Sequence, residues 1–241
     1  MKLSVVIPAY NEEAYLHACL ESVSAELQAN AARGAFEIVV IDNASTDGTA
    51  QVASLFPLVR VVAEPRKGLT HARQCGLEAA RGEILAYVDA DTRMPPGWIG
   101  RVLDAYERDS SVVCVSGPYV YDELSRVKRT FVQLYWRLLA MPMYRFTHYM
   151  AVGGNFAASK AALLRIGGFD TTISFYGEDT NIARRLAQEG KVVFDLRLVM
   201  KTSARRLQDE GFATTAVRYA LNFGSEVLLK RPFTRQYRDI R

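Results

Sequence analysis

The first ninety residues alternate between two textures. Short runs rich in β-branched and aliphatic residues (LSVVIP, EIVVID, VRVVAE and EILAYVD) are separated by stretches of helical periodicity. Such runs predict strands buried on both faces. After Asn11, a favourable N-cap, Leu16, Leu20, Val23 and Leu27 recur at intervals of four, three and four, so they share one stripe of a helix. A second helix is expected after Asp47-Gly48, through Ala50 to Leu55. A third should run from Leu69 to Ala80, with Gly82 as its stop. Strand and helix in this rhythm imply right-handed crossovers and a mostly parallel α/β sheet flanked by helices.

The second half is less regular. Pro95 and Pro96 should open a helix carrying Trp98, Val102 and Leu103, and VVCVSG predicts another strand. Leu124 to Tyr144 forms a long aromatic-rich amphipathic segment. Phe131, Leu134, Tyr135, Leu138 and Leu139 give it a helical stripe, flanked by Arg137 and Arg145. That stripe reads as core packing or, alternatively, as a surface for a lipid-linked acceptor at a membrane face. In the glycine-punctuated block VGGNFAASKAALLRIGGFD, Ser159 should cap a short helix. A further helix is expected from Asp179 to Glu189, stopped at Gly190, and KVVFDLRLV is expected to be one strand. No internal repeat or low-complexity linker interrupts the chain.

Polar clusters follow each early strand: PAYNEE, DNASTDG, EPRKG and DADT. In a doubly wound sheet ligands bind beyond the carboxyl ends of the strands, so all four clusters are expected along one edge. Asp89 and Asp91, two apart, share a face in extended chain and suit a hard divalent cation, Mg²⁺ or Mn²⁺, held jointly with phosphates. Ala90 lies between them. Asp42 can accept hydrogen bonds from a base N–H or a ribose hydroxyl, or close an Asx-turn with Asn43. Gly68 permits close backbone approach, and Arg73 is a candidate ligand contact. Glu178 and Asp179 open a helix and offer a carboxylate base. The helix N-terminus lowers the pKa of such a carboxylate, while burial raises it.

PAYNEE contains neither G-x-G-x-x-G nor the P-loop pattern, which argues against dinucleotide dehydrogenases and P-loop ATPases. A sugar nucleotidyltransferase would need a glycine-rich basic loop at the same place, and a sugar-nucleotide-binding scaffold without transfer activity is a further alternative.

Composition changes little. At 241 residues, 49% apolar and 23% charged, the chain is an ordinary globular protein. Charge is uneven: from Arg197 onward ten Lys/Arg oppose four Asp/Glu, a local +6 within an overall +4. Cys19, Cys75 and Cys114 are scattered and odd in number, which suits buried free thiols in a reducing compartment. Pro8, Glu12 and Glu13 break the N-terminal apolar run, and no apolar stretch approaches the ~20 residues of a spanning helix. A cytoplasmic protein with peripheral membrane contact fits this pattern.

Taken in order, VVIPAYNEE, VVIDNASTDGT, GLTHAR, VDADT and the late GED closely resemble the family 2 glycosyltransferases of the GT-A fold, from about residue 3 to residue 190. The resemblance implies a nucleotide-sugar-binding half (1–93) merged with an acceptor-binding half (94–200), followed by a basic helical segment (201–241). It implies inverting transfer from a nucleotide diphosphate sugar, expected to be UDP-linked, to a glycan or lipid-linked acceptor. No nucleic-acid partner is expected. Pro8, Ala9, Glu12, Asp42 and Arg73 would hold the nucleoside. Asp89 would meet the ribose or the hydration shell of the metal, Asp91 would ligate it, and Asp179 would be the base. The chain departs from the family in two respects. MKTSARR lacks the histidine that some members place there as a metal ligand, and the Q-x-x-R-W motif of processive members is absent, Arg205 and Arg206 occupying the corresponding region, where they could grip the diphosphate or a lipid phosphate. Single addition is therefore expected rather than polymerisation.

Overall fold

The computed structural model describes residues 1–173, 175–209, 211, 214, 218, 221, 222, 224–226, 233 and 234. Four parallel strands carry the first half: β1 (Leu3–Ala9), β2 (Phe36–Asp42), β3 (Val59–Ala63) and β4 (Ile84–Val88). Between them run α1 (Glu13–Ala29), α2 (Thr49–Ser54) and α3 (Leu69–Ala79). A two-residue strand β5 (Thr92–Arg93) leads into α4 (Trp98–Arg108), β6 (Val112–Ser116) and the short β7 (Tyr119–Val120). Then α5 (Arg126–Tyr135), a π-turn over Trp136–Ala140 and α6 (Met141–Thr147) form one outer arm. The chain returns through β8 (Asn155–Ser159), α7 (Lys160–Arg165), α8 (Glu178–Leu186), β9 (Lys191–Phe194), β10 (Met200–Thr202) and α9 (Arg205–Asp209).

The main sheet has the order β3-β2-β1-β4-β8-β6-β9, and β8 is antiparallel to both its neighbours. From β1 the chain winds outward to β2 and β3, then crosses back to place β4 on the other side of β1. The crevice between β1 and β4 is thus the topological switch point, where such sheets bind ligands. Pro8 is tolerated in this central strand because pairing with β4 ends at Val6 while pairing with β2 continues to Ala9. The apolar residues of β1 point alternately into two cores. Val5 and Ile7 pack against α1 and α4, and Val6 packs beneath α3.

Several expectations need correction. Asn11 does not cap α1. It sits at φ 51, and its side chain accepts from the Thr46 N–H at 2.9 Å, tying the first polar loop to the second. β3 is an edge strand, only half-buried. Gly82 lies beyond the end of α3. Its role is close approach, since a Cβ there would meet the Ser4 backbone nitrogen at 2.5 Å. The helix after Pro95-Pro96 begins at Trp98 and is capped from another element: Glu26 of α1 accepts from the Gly97 and Ile99 N–H groups. KVVFDLRLV is two strands in two sheets. Asp195 breaks it, accepting at its carbonyl from the Leu198 N–H and at its side chain from the Arg197 N–H. Ser159 does cap α7, through the Ala162 N–H.

The aromatic stripe expected in the core faces outward. Trp136, Ala140 and Tyr144, four residues apart, form the inner face against Phe194, Met150 and Val152, whereas Phe131, Leu134, Tyr135, Leu138 and Leu139 are exposed. Cys19 and Cys114 are buried free thiols, both pushed up to about 12 chiefly by burial, and Cys75 is half-buried.

Candidate active site

A second sheet, β5-β10-β7, builds the floor of the crevice. β10 runs antiparallel to β5, pairing Thr202 with Thr92, and parallel to β7, pairing Met200 with Tyr119. This register carries the chain just past Thr202 back to the aspartate just before Thr92. The Ser203 N–H donates to the Asp91 carbonyl at 3.3 Å, and the Arg205 guanidinium reaches the Asp91 carboxylate at 2.9 Å and Glu12 at 2.5 Å. The guanidinium also lies 4.5 Å from the centre of the Tyr15 ring. Burial disfavours the Arg205 cation, but Asp91 and then Glu12 outweigh it and hold the group more firmly charged.

The neighbouring Asp89 faces another way. One carboxylate oxygen takes Arg73 at 3.3 Å and the other takes the Tyr119 hydroxyl at 2.8 Å. Arg73 rises from α3, is 1% exposed, and also makes a close ion pair with Glu178 at the start of α8. Its burial disfavours the cation, but the Glu178 and Asp89 carboxylates reverse that effect. Arg73 therefore bridges residues from three distant segments. Two glycines make room: a Cβ at Gly153 would lie 2.7 Å from Glu178 Oε1, and one at Gly154 would lie 2.2 Å from Asp89 Cγ.

Glu178 is driven up from its ordinary range by burial, opposed by Arg73 and reinforced by Asp179. Asp179 is likewise raised, first by burial, although its Oδ1 accepts from the Thr180 N–H at 2.7 Å. It is not the helix cap, since Gly177 at φ 84 holds that position. Burial thus outweighs the helix N-terminus at this carboxylate.

The remaining expected residues divide. Asp42, at the carboxyl end of β2, is half-buried and accepts from the Ser45 N–H at 3.3 Å, so it closes the Asx-turn while lying on the crevice edge. Pro8 and Ala9 lie in the sheet interior, and the Ala9 carbonyl accepts from the Asn43 N–H. Ala90 turns into the core, so only its backbone borders the crevice. Gly68 is required by its own backbone, at φ 147, with its N–H donating to the Asn43 side chain. Both carboxylate oxygens of Asp89 are engaged, by Arg73 and Tyr119, while the Asp91 carboxylate is engaged by Arg205. The side chain of Arg206, and most of 201–241, lie outside the described residues.

Sequence reasoning missed Tyr119, Tyr15 and Asn155. The Asn155 amide accepts from the Trp98 indole and donates to the Pro118 and Leu198 carbonyls, locking β8 to the β7 and β10 loops. The asparagine after the glycine pair in VGGNF was the available signal.

Among the described residues no group of three or more His, Cys, Asp or Glu could hold a metal by itself. The donor set nevertheless fits a hard cation bound chiefly through substrate oxygens. A cationic group already sits between Asp91 and Glu12, and Mg²⁺-type sites commonly use one or two carboxylates plus phosphates. Arg73 Nε and Glu178 Oε2, both buried, lack hydrogen-bond partners, which marks polar capacity left for a ligand.

Residues 4–167 match the glycosyl transferase family 2 model. The chain is 26% identical over 189 residues to the glucosyl-dolichyl phosphate glucuronosyltransferase of Haloferax volcanii, covering 74% of this chain and 59% of that relative. In structure it resembles a mannosyltransferase from Pyrobaculum calidifontis, solved with GDP-Man and Mn²⁺, at TM-score 0.71 and 21% identity, covering 95% of this chain and 64% of that one. It also resembles the glucosyl-3-phosphoglycerate synthase of Mycobacterium tuberculosis, solved with Mn²⁺, UDP and phosphoglyceric acid, at TM-score 0.64 and 21% identity, over 95% of this chain and 78% of that one.

Proposed function

The chain belongs to glycosyl transferase family 2 and has the GT-A fold, and from that premise we propose that it moves one sugar, with inversion, from a metal-bound nucleotide diphosphate sugar to an acceptor hydroxyl. The observation that carries this reading is the Arg73 bridge. Buried itself, it holds the half-buried strand-end Asp89 and the buried helix-start Glu178 together at the β1/β4 crevice, with Asp179 alongside. A binding scaffold has no need of a carboxylate of raised pKa beside the donor.

In this reading residues 1–93 hold the donor and 94–200 the acceptor. Asp42 accepts a hydrogen bond from the base, which suits the N–H of uracil, and UDP is the proposed carrier. UDP and GDP-Man occupy the synthase and the mannosyltransferase respectively. Arg73 keeps Asp89 oriented toward the ribose. Asp91 would hold Mn²⁺ or Mg²⁺, which when bound offsets the negative charge developing on the departing diphosphate. Arg205, released from Asp91, supplies further positive charge to the diphosphate.

Asp179 takes the proton from the acceptor hydroxyl as that oxygen bonds to the anomeric carbon. The carbon–oxygen bond to the diphosphate breaks on the opposite face, and the electron pair leaves with the diphosphate. The acceptor is a glycan or a lipid-linked glycan, as the name of the Haloferax relative suggests.

The test is a panel of UDP-, GDP- and dTDP-sugars, measured for calorimetric binding and slow hydrolysis with Mn²⁺ or Mg²⁺. One donor family should bind in a metal-dependent way, and Asp91→Ala should abolish that dependence. Binding of none, or binding indifferent to metal, would sink the reading.

A further inference from the structure

We propose that the outer face of α5, the π-turn and α6 docks on an anionic lipid bilayer. Val127, Phe131, Leu134, Leu138, Leu139 and Phe146 all face solvent there, with Phe131 59%, Leu138 65% and Phe146 81% exposed. Single exposed apolar residues are ordinary, but a contiguous face of this size marks an interaction surface. The arm's own core is already complete on its inner side, where Trp136, Ala140 and Tyr144 pack against Phe194.

Charge decides the occupant. Arg126, Lys128, Arg137 and Arg145 are exposed around the apolar face, Arg129 is half-buried, and residues 124–147 contain no Asp or Glu. Apolar side chains on an arm whose only charges are cationic match an acyl boundary beneath anionic headgroups. Among the described residues no helix is long and apolar enough to cross a membrane, so the arm lies on the bilayer.

The arm is tied to the crevice. The Trp136 indole donates to the Tyr119 carbonyl at 3.2 Å, and the Tyr119 hydroxyl donates to Asp89. The Tyr135 hydroxyl is made harder to ionise, first by desolvation and then by the Asp179 carboxylate, which places the two within electrostatic reach. A docked arm therefore brings Asp179 close to the membrane, where a lipid-linked acceptor presents its hydroxyl. Only this last step rests on the transfer reading.

The test is co-flotation of the protein with phosphatidylcholine vesicles, with and without phosphatidylglycerol. The protein should float with anionic vesicles and be released by salt. Phe131→Ser, Leu138→Ser and Phe146→Ser together should lower partitioning at least ~10-fold. Arg126→Ala, Lys128→Ala and Arg129→Ala together should remove the preference for anionic lipid, a loss on the order of 100-fold. Both variants should keep their far-UV ellipticity and their Mn²⁺-dependent UDP binding. No flotation with anionic vesicles overturns the inference, as does flotation unchanged in both variants. A dimer that the serine variant dissolves would assign the face to a second copy instead and would also overturn it. Vesicle binding without any nucleotide binding would leave the surface standing and remove the transfer reading.

Discussion

The Arg205 guanidinium lies 2.9 Å from the Asp91 carboxylate, so the aspartate expected to hold a divalent cation is already paired with a cation of the chain itself. The pair is formed across β10 and β5, and Glu12 completes it from the loop after β1. A divalent cation held by Asp91, as proposed, would compete with the arginine for the same carboxylate. Arg205→Ala should tighten Mn²⁺ binding without nucleotide, on the order of tenfold at low ionic strength, while weakening binding of UDP in the presence of metal. Titration of free Mn²⁺ by electron paramagnetic resonance reads the first effect. Unchanged or weaker Mn²⁺ binding would show that Arg205 does not compete.

Arg73 serves the buried Glu178 and the half-buried Asp89, so its removal leaves Glu178 uncompensated. Arg73→Met should cost about 3–5 kcal/mol of stability. The sign of the pH dependence follows from Glu178, whose folded-state pKa is raised to about 7. Folding favours its protonated form, so stability falls as pH rises from the ordinary carboxylate range through that value. Without Arg73 the fall should be steeper, making the variant's deficit larger at about pH 8 than at about pH 5. Chemical denaturation at both pH values measures it, and a deficit larger in acid would contradict the assignment.

Asp179→Asn should retain metal-dependent donor binding and lose transfer by at least about 100-fold. In the native protein the raised pKa of Asp179 means that the base is protonated at a higher pH than a free aspartate, whose pKa is about 3.9. The acid limb of kcat/KM should therefore fall above ~4. A pH–rate profile together with donor calorimetry separates this from a structural defect. Normal turnover in the variant would remove Asp179 as the base.

Gly154→Ala inserts a Cβ 2.2 Å from Asp89 Cγ and from the Tyr119 hydroxyl. The displacement should cost about 1–3 kcal/mol and weaken donor binding with it. Tyr119→Phe deletes only the hydrogen bond to Asp89 and should cost less in packing, with a loss of about 1.5–3 kcal/mol for a charge-assisted bond. Thermal melts and donor affinities of the two variants, measured side by side, distinguish crowding from a lost contact.

The first half of the chain was largely legible because its information is local. Parallel strands buried on both faces leave continuous apolar runs, and turn residues must follow them where the chain reverses, so β1, β2 and β4 and the polar loops at their ends could be read directly. The outer arm could be read two ways, as core packing or as an exposed surface, for a related reason. Phe131, Leu138 and Trp136 all satisfy helical periodicity, and periodicity does not say which of two apolar faces meets the core. The Phe194 ring, far along the chain, selected Trp136.

The chain by itself therefore determined the α/β order, the edge of the sheet on which polar residues gather and the residue types available there. Hydrophobic period and turn chemistry are properties of neighbouring residues. Tertiary structure alone decided that Asp89 is spent on Arg73 and Tyr119 while Asp91 meets Arg205, and that burial prevails over the helix N-terminus at Asp179. Those outcomes depend on the local dielectric and on contacts between residues as far apart as Glu12 and Arg205, which pairing in the two sheets brings together.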